Sequence, residues 1–167
     1  MPDKIKVLIV DDDPLMRQAL AQYIHSYEDM TVVGEASEMK MALRAISKLK
    51  PDIALIDILG FEGEEGGIQM IREIKAERKE LPLLAISSHD SALFAVSALQ
   101  AGANGYLMKQ EASVKIGIVI RQIMNGEMYV SGAAGEKLIR RYMKNTSSKI
   151  EANQYKLNLT PAFTLKQ

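Results

Sequence analysis

The chain has 167 residues, 21 Lys+Arg against 21 Asp+Glu, and a formal net charge of zero, which argues against nucleic-acid binding through bulk positive charge. Cysteine is absent, excluding disulfides, thiolate zinc sites and a cysteine nucleophile. The length suits one domain with a real core plus a tail. No apolar run approaches the roughly 18 residues that span a membrane, and the amino terminus has too short an apolar stretch for a signal peptide, so a soluble cytoplasmic protein without a membrane partner is expected.

In chain order, "IKVLIV" (5–10) is the first candidate strand, followed by "DDDP" and a segment of helical period over 14–27. Asp13 directly precedes Pro14, which marks Asp13 as a helix cap rather than a chemical group. Further candidate strands are "TVVGEA" (31–36), "DIALID" (52–57), "LPLLAIS" (81–87) and "NGYLM" (104–108), with helices expected at 38–49, 67–78, 90–101 and 112–125. Gly102 and Gly126 are placed to end the last two helices. Five strands alternating with five helices read as an α/β parallel sheet covered on both faces. Strands 1, 3 and 4 are apolar almost throughout, as doubly covered strands should be. After Gly126 a helical stripe at 134, 138, 139, 142 and 143 suggests a short sixth helix, and polar "NTSSKIEANQ" (145–154) reads as linker. The expected division is 1–130 as the main domain, 131–144 as a C-terminal helix, and 145–167 as linker and tail.

Ligands of open parallel sheets bind beyond the carboxyl ends of the strands. Those ends deliver Asp11 and Asp12 after strand 1, Asp57 after strand 3, Ser87 after strand 4, and Tyr106 and Lys109 at and after strand 5. Any one alone is more commonly a turn residue or a solvated charge; together they are complementary chemistry at one edge. Three carboxylates without cysteine suit a hard divalent cation with oxygen ligands, Mg²⁺ above all. Without the cation, mutual repulsion should raise the acids' pKa values as a coupled group. With it, one acid can stay ionised as a nucleophile, while Lys109 and Ser87 help neutralise a transferred phosphoryl group.

"VLIVDDDPLMRQAL", "KPDIALIDI", "LLAISSHD", "ALQAGANGYLMKQEA" and "GEMYVS" together make the chain resemble, over residues 4–131, the receiver domain of bacterial two-component response regulators, in the NarL/FixJ/LuxR-type branch. The resemblance implies a flavodoxin-like, doubly wound five-stranded sheet of order 2-1-3-4-5. It implies a phosphoacceptor rather than an enzyme, with Asp57 taking a phosphoryl group from a sensor histidine kinase. Mg²⁺ would be held by Asp12, Asp57 and the Leu59 backbone carbonyl, and by Asp11 through water. Lys109 would contact the phosphoryl group, Ser87 would move to hydrogen-bond it, and Tyr106 would reorient with Ser87, shifting the population of two loop arrangements.

The chain departs from the family pattern after Asp57, where "DILGFEGEEGGIQM" lacks proline and carries Glu62, Glu64 and Glu65, read here as a solvated turn. Gln110 replaces the proline many receivers have after the lysine. Helix 90–101 carries no charge between Asp90 and Gly102 and is apolar nearly all round, and a helix apolar all round should be covered. With helix 112–125, Leu93, Phe94, Val96, Val114 and Ile118 are the expected interface, matching the face that receivers use for phosphorylation-dependent homodimers. The branch normally continues into a DNA-binding module; "LTPAFTLKQ" opens like one, but nine residues cannot form a recognition helix and its support. DNA contact is therefore expected only through a C-terminal domain absent from this chain, with a stand-alone receiver acting by protein contacts as the alternative. A haloacid-dehalogenase-type phosphatase would share Asp-x-Asp after a strand, but no later acidic pair follows a strand here. A flavin carrier would share the fold, but the acids after strand 1 would repel the flavin's phosphate.

Overall fold

The computed structural model describes residues 3–61, 66–145 and 157–159. Its elements alternate as β1 (Ile5–Val10), α1 (Pro14–His25), β2 (Met30–Ala36), α2 (Met39–Leu49), β3 (Ile53–Asp57), α3 (Gly66–Glu77), β4 (Leu83–Ser87), α4 (Ala92–Ala101), β5 (Gly105–Met108), α5 (Ala112–Met124), β6 (Met128–Val130), α6 (Gly132–Asn145) and β7 (Leu157–Leu159). A single 3₁₀ turn, Lys109–Glu111, joins β5 to α5. All strand pairings are parallel, in the order β2-β1-β3-β4-β5-β6-β7. The expected order 2-1-3-4-5 is present. The short strands β6 and β7 extend that five-stranded sheet beyond β5.

Strand periodicity divides the core. Val7 and Ile9 of β1, Ile53 and Leu55 of β3, and Leu84 and Ile86 of β4 point to the side covered by α1 and α5. Leu8 and Val10, Ala54 and Ile56, and Leu83 and Ala85 point to the side covered by α2, α3, α4 and α6. Both faces are thus apolar, which explains why β3 and β4 are buried at every position. On α5, Ile116, Val119, Ile120 and Ile123 form the buried stripe expected from their spacing.

Caps set the lengths of the helices. Asp13 takes the N-cap of α1, its carboxylate accepting from the Leu15 N–H at 2.9 Å, with Pro14 in the first turn. Gly102 ends α4 at φ 119°, a left-handed conformation open to glycine, and its N–H donates to the carbonyls of Ala98 and Leu99.

The carboxyl side of the sheet differs from expectation in two respects. Strand β6 is only three residues long, yet Tyr129 and Val130 are buried and pair with Gly105 and Tyr106. Helix α6 then lies on α4, its Ala134 and Leu138 joining the cluster that contains Ala95 and Ala98. Part of the α4 surface expected to be open is thus covered from within the chain. Glu62, Glu64 and Glu65 of the acidic loop lie outside the described residues, as does the expected linker and tail apart from Asn145, which ends α6, and β7. No helix among the described residues is long and apolar enough to cross a membrane.

Candidate functional site

Sheet order reverses at β1, which has β2 on one side and β3 on the other; such a switch point opens a crevice at the carboxyl edge. Asp11 and Asp12 follow β1, and Asp57 is the last residue of β3. Asp11 is fully buried and Asp57 is 4% exposed, while Asp12 is exposed. One carboxylate oxygen from each lies within 4.8 Å of the others. Lys109, just past β5, places Nζ 3.3 Å from Asp11 Oδ2 and 3.3 Å from Asp57 Oδ2. Four of the residues expected from sequence therefore converge.

Electrostatics follow from that packing. Burial pushes the Asp11 carboxyl up to about 6, because the charged form loses solvation. The Asp13 N–H, which donates to Asp11 Oδ1 at 2.8 Å, opposes this; Asp57 reinforces it and Lys109 opposes it. On Lys109, burial pulls down, but the Asp57 and Asp11 carboxylates outweigh it and hold the ammonium above its ordinary value. The site is an under-neutralised acidic pocket, three carboxylates facing one ammonium. Asp11 Oδ2 is buried with no hydrogen-bond partner, although Lys109 lies within ion-pair range.

The remaining residues surround this pocket. Ser87 is fully buried, and its Oγ accepts from the His89 N–H at 3.0 Å. Tyr106 is also fully buried, and its hydroxyl donates to the His89 carbonyl at 2.5 Å. Burial raises the Tyr106 pKa. Gln110 adds a third tie, its amide donating to the Ser88 carbonyl at 3.2 Å. The β4–α4 loop is therefore gripped by Ser87, Tyr106 and Gln110. Leu59 donates its N–H to Asp57 Oδ1 at 3.2 Å, fixing the phosphoacceptor candidate's rotamer.

Two residues missed in the sequence belong to the pocket's frame. Gly60 roofs it so closely that a Cβ there would lie 2.2 Å from Asp57 Oδ2 and 2.5 Å from Asp12 Oδ1. Arg17 donates to the Asp11 carbonyl at 2.6 Å. Glycine in a loop after an aspartate is a weak signal for such closeness. For Arg17 only its position one helical turn past the cap was visible.

Of the expected interface residues, Leu93, Val114 and Ile118 are exposed at 60%, 72% and 54%. Phe94 and Val96 are half-buried; Phe94 packs on the core and meets the His89 ring edge-on, centroids 6.1 Å apart.

Residues 7–121 match the response regulator receiver domain family. The chain belongs to that family. The receiver is 34% identical over 108 residues to transcriptional regulatory protein YdfI of Bacillus subtilis, covering 65% of this chain and 49% of YdfI. It is similar to the crystal structure of a LuxR-family two-component response regulator from Aurantimonas sp. SI85-9A1, with TM-score 0.77, 26% identity, 84% of this chain and 99% of that one. The signal receiver domain of the putative response regulator NarL from Mycobacterium tuberculosis gives TM-score 0.69 and 30% identity over 75% of this chain and 100% of that one. The chain thus spans about half the length of YdfI. Family membership makes this a phosphoacceptor signalling domain rather than a classical enzyme, and sets aside the phosphatase and flavin-carrier alternatives.

Proposed function

We propose that Asp57 accepts a phosphoryl group from a histidine of a cognate sensor kinase, and that the occupied pocket switches the β4–α4 loop. The observation that supports this best is the convergence of Asp57, Asp11, Asp12 and Lys109 on the switch-point crevice of a receiver fold. In the transfer, a carboxylate oxygen of Asp57 forms the new O–P bond while the histidine N–P bond breaks and the leaving imidazole nitrogen gains a proton. Lys109, already 3.3 Å from Asp57, stays beside the equatorial oxygens and offsets their charge.

The residues fit a hard divalent cation. All three donors are carboxylates, Asp11 Oδ2 is buried without a hydrogen bond, and the space above Asp12 and Asp57 is kept free of side-chain atoms by Gly60. Asp12 and Asp57 would hold Mg²⁺, with Asp11 and the Leu59 carbonyl as further oxygen donors. When bound, Mg²⁺ supplies the positive charge that lets Asp57 stay ionised while an anionic donor approaches.

Switching follows from the loop ties. A phosphoryl group on Asp57 offers the Ser87 hydroxyl a charged acceptor, stronger than its neutral partner at His89. Once Ser87 leaves, the His89 segment loses one of its anchors, and Tyr106 repositions with the loop. Ser91, two residues beyond His89, caps helix α4, which starts at Ala92, so the change reaches the face of Leu93, Val114 and Ile118. Phosphorylation-dependent homodimerisation through that face is the proposed output, with Phe94 and Val96 as its inner rim. The name of YdfI supports a transcriptional role, with DNA contact assigned to something other than this receiver.

The test is an incubation of the protein with a small acyl phosphate and Mg²⁺, read by intact mass. One phosphoryl group is expected, lost in Asp57→Asn. Labelling that survives Asp57→Asn but disappears in Asp11→Asn would overturn the assignment. The 167-residue chain should give no specific promoter shift, and a salt-dependent shift would contradict the DNA assignment.

A further inference from the structure

Asp12 is the exposed member of the acidic trio, so packing constrains its carboxylate least. Hydrogen bonds at this turn hold Asp11 and Asp13, but among the described residues none holds the Asp12 carboxylate. Its direction depends on the backbone, and above all on the peptide plane between Asp11 and Asp12. That plane is fixed from outside the loop. The preceding peptide is tied to β2, the Asp11 N–H donating to the Ala36 carbonyl at 3.0 Å. The Asp11 carbonyl, one half of the Asp11–Asp12 peptide, accepts from Arg17 Nη1 at 2.6 Å. Arg17 Nε lies 3.4 Å from Glu35 Oε1, also on β2, with the arginine side chain 19% exposed.

We infer that Arg17 is a positioning residue for the metal: its guanidinium clamps the Asp11–Asp12 peptide to β2 and aims the Asp12 carboxylate into the pocket. The planar fork reaches the carbonyl and Glu35 from two separate nitrogens in a fixed geometry, which the single ammonium nitrogen of a lysine does not reproduce. Glu35 offsets the guanidinium charge, so the clamp holds the loop without adding a net positive charge beside a cation site. Helix α1 supplies the geometry, since Asp13 caps it and Arg17 N–H closes its first turn onto the Asp13 carbonyl at 3.0 Å. One short stretch thus gives both the ligand and the device that orients it.

This inference rests on the Mg²⁺ reading of the pocket, and the sign of one measurement separates geometry from charge. Arg17→Gln removes a positive charge near a cation, so electrostatics alone would tighten Mg²⁺ binding. Loss of the clamp would weaken it. Mg²⁺ affinity is measured by calorimetry on the full chain, with amide shifts of residues 11–13 followed by NMR. Arg17→Gln is expected to weaken Mg²⁺ binding about tenfold, the equivalent of about 1.4 kcal/mol. Glu35→Gln, which keeps both the Arg17 donor to Asp11 and a side-chain oxygen on β2 for the guanidinium, should stay within about twofold of wild type. At saturating Mg²⁺ the Arg17→Gln phosphorylation rate should recover to within about twofold, with half-saturation displaced by the same factor as the affinity. If Arg17→Gln does not fold, Arg17→Lys keeps the charge and should still weaken binding at least about threefold. Binding by the arginine variant that is equal to or tighter than wild type overturns the clamp and leaves the site intact. Wild-type protein that binds no Mg²⁺ overturns the site reading itself.

Discussion

Asp11→Asn should stabilise the metal-free protein at neutral pH, although it removes a residue of the central pocket. The buried Asp11 carboxyl has its pKa raised from 3.8 to about 6. At about 1.4 kcal/mol per pH unit, its ionised form therefore costs the fold roughly 3 kcal/mol. The sign follows from proton binding. Above pH 6 both folded and unfolded forms are ionised and the full cost is present. As pH falls from 6 towards 3.8 the folded state takes up its proton first, so the cost fades, and below 3.8 it is gone. Asparagine keeps an oxygen for the Asp13 N–H but presents an amide towards Lys109, which offsets part of the gain. A net gain of about 1–2 kcal/mol at pH 7.5 is expected, lost by pH 4, where the offset remains and the variant is no more stable than wild type. Urea unfolding in the presence of a chelator, at pH 7.5 and pH 4, reads the difference between variant and wild type. Adding Mg²⁺ at ten times its dissociation constant should stabilise wild type by about 1.4 kcal/mol and the variant by much less. A variant less stable than wild type at pH 7.5 without metal would refute the reasoning.

Gly60→Ala places a Cβ 2.2 Å from Asp57 Oδ2 and 2.5 Å from Asp12 Oδ1; Mg²⁺ affinity by calorimetry should fall at least about tenfold, about 1.4 kcal/mol. Asp13→Ala should cost about 1 kcal/mol of stability in urea, and Asp13→Ser should keep Mg²⁺-dependent phosphorylation intact, because the residue caps α1 and touches no reacting atom. Gly117→Ala on α5 drives a Cβ to 2.2 Å from the Tyr27 ring, which also lies under Arg121 at 5.1 Å. Thermal unfolding should show a loss of about 1–3 kcal/mol with phosphorylation at Asp57 unchanged.

The strands of the central sheet were legible because both faces are covered, leaving nearly unbroken apolar runs at Val7–Val10 and 53–56. The division of Asp11–Asp13 was legible too, since Pro14 marks the helix start. Strand β6 was not: three residues after a glycine turn are too few to show alternation, and only pairing with Gly105 and Tyr106 defines them. A helical stripe announced α6 but not the surface it covers, which is set by where β6 releases the chain next to α4. The pocket's donors were readable from strand ends, whereas its frame was not. Arg17 and Glu35 are 18 positions apart, and Gln110 and Ser88 are 22. Nothing in either local pattern marks them as partners.

The central claim, that Asp57 is the phosphoacceptor of this receiver, is tested most directly by locating the phosphoryl group. After acyl phosphate and Mg²⁺, borohydride reduction converts an aspartyl phosphate to homoserine, which peptide mass spectrometry can place. The account predicts a single modified residue at position 57, absent without Mg²⁺. Homoserine at position 11 or 12, or equal labelling with a chelator present, would contradict it.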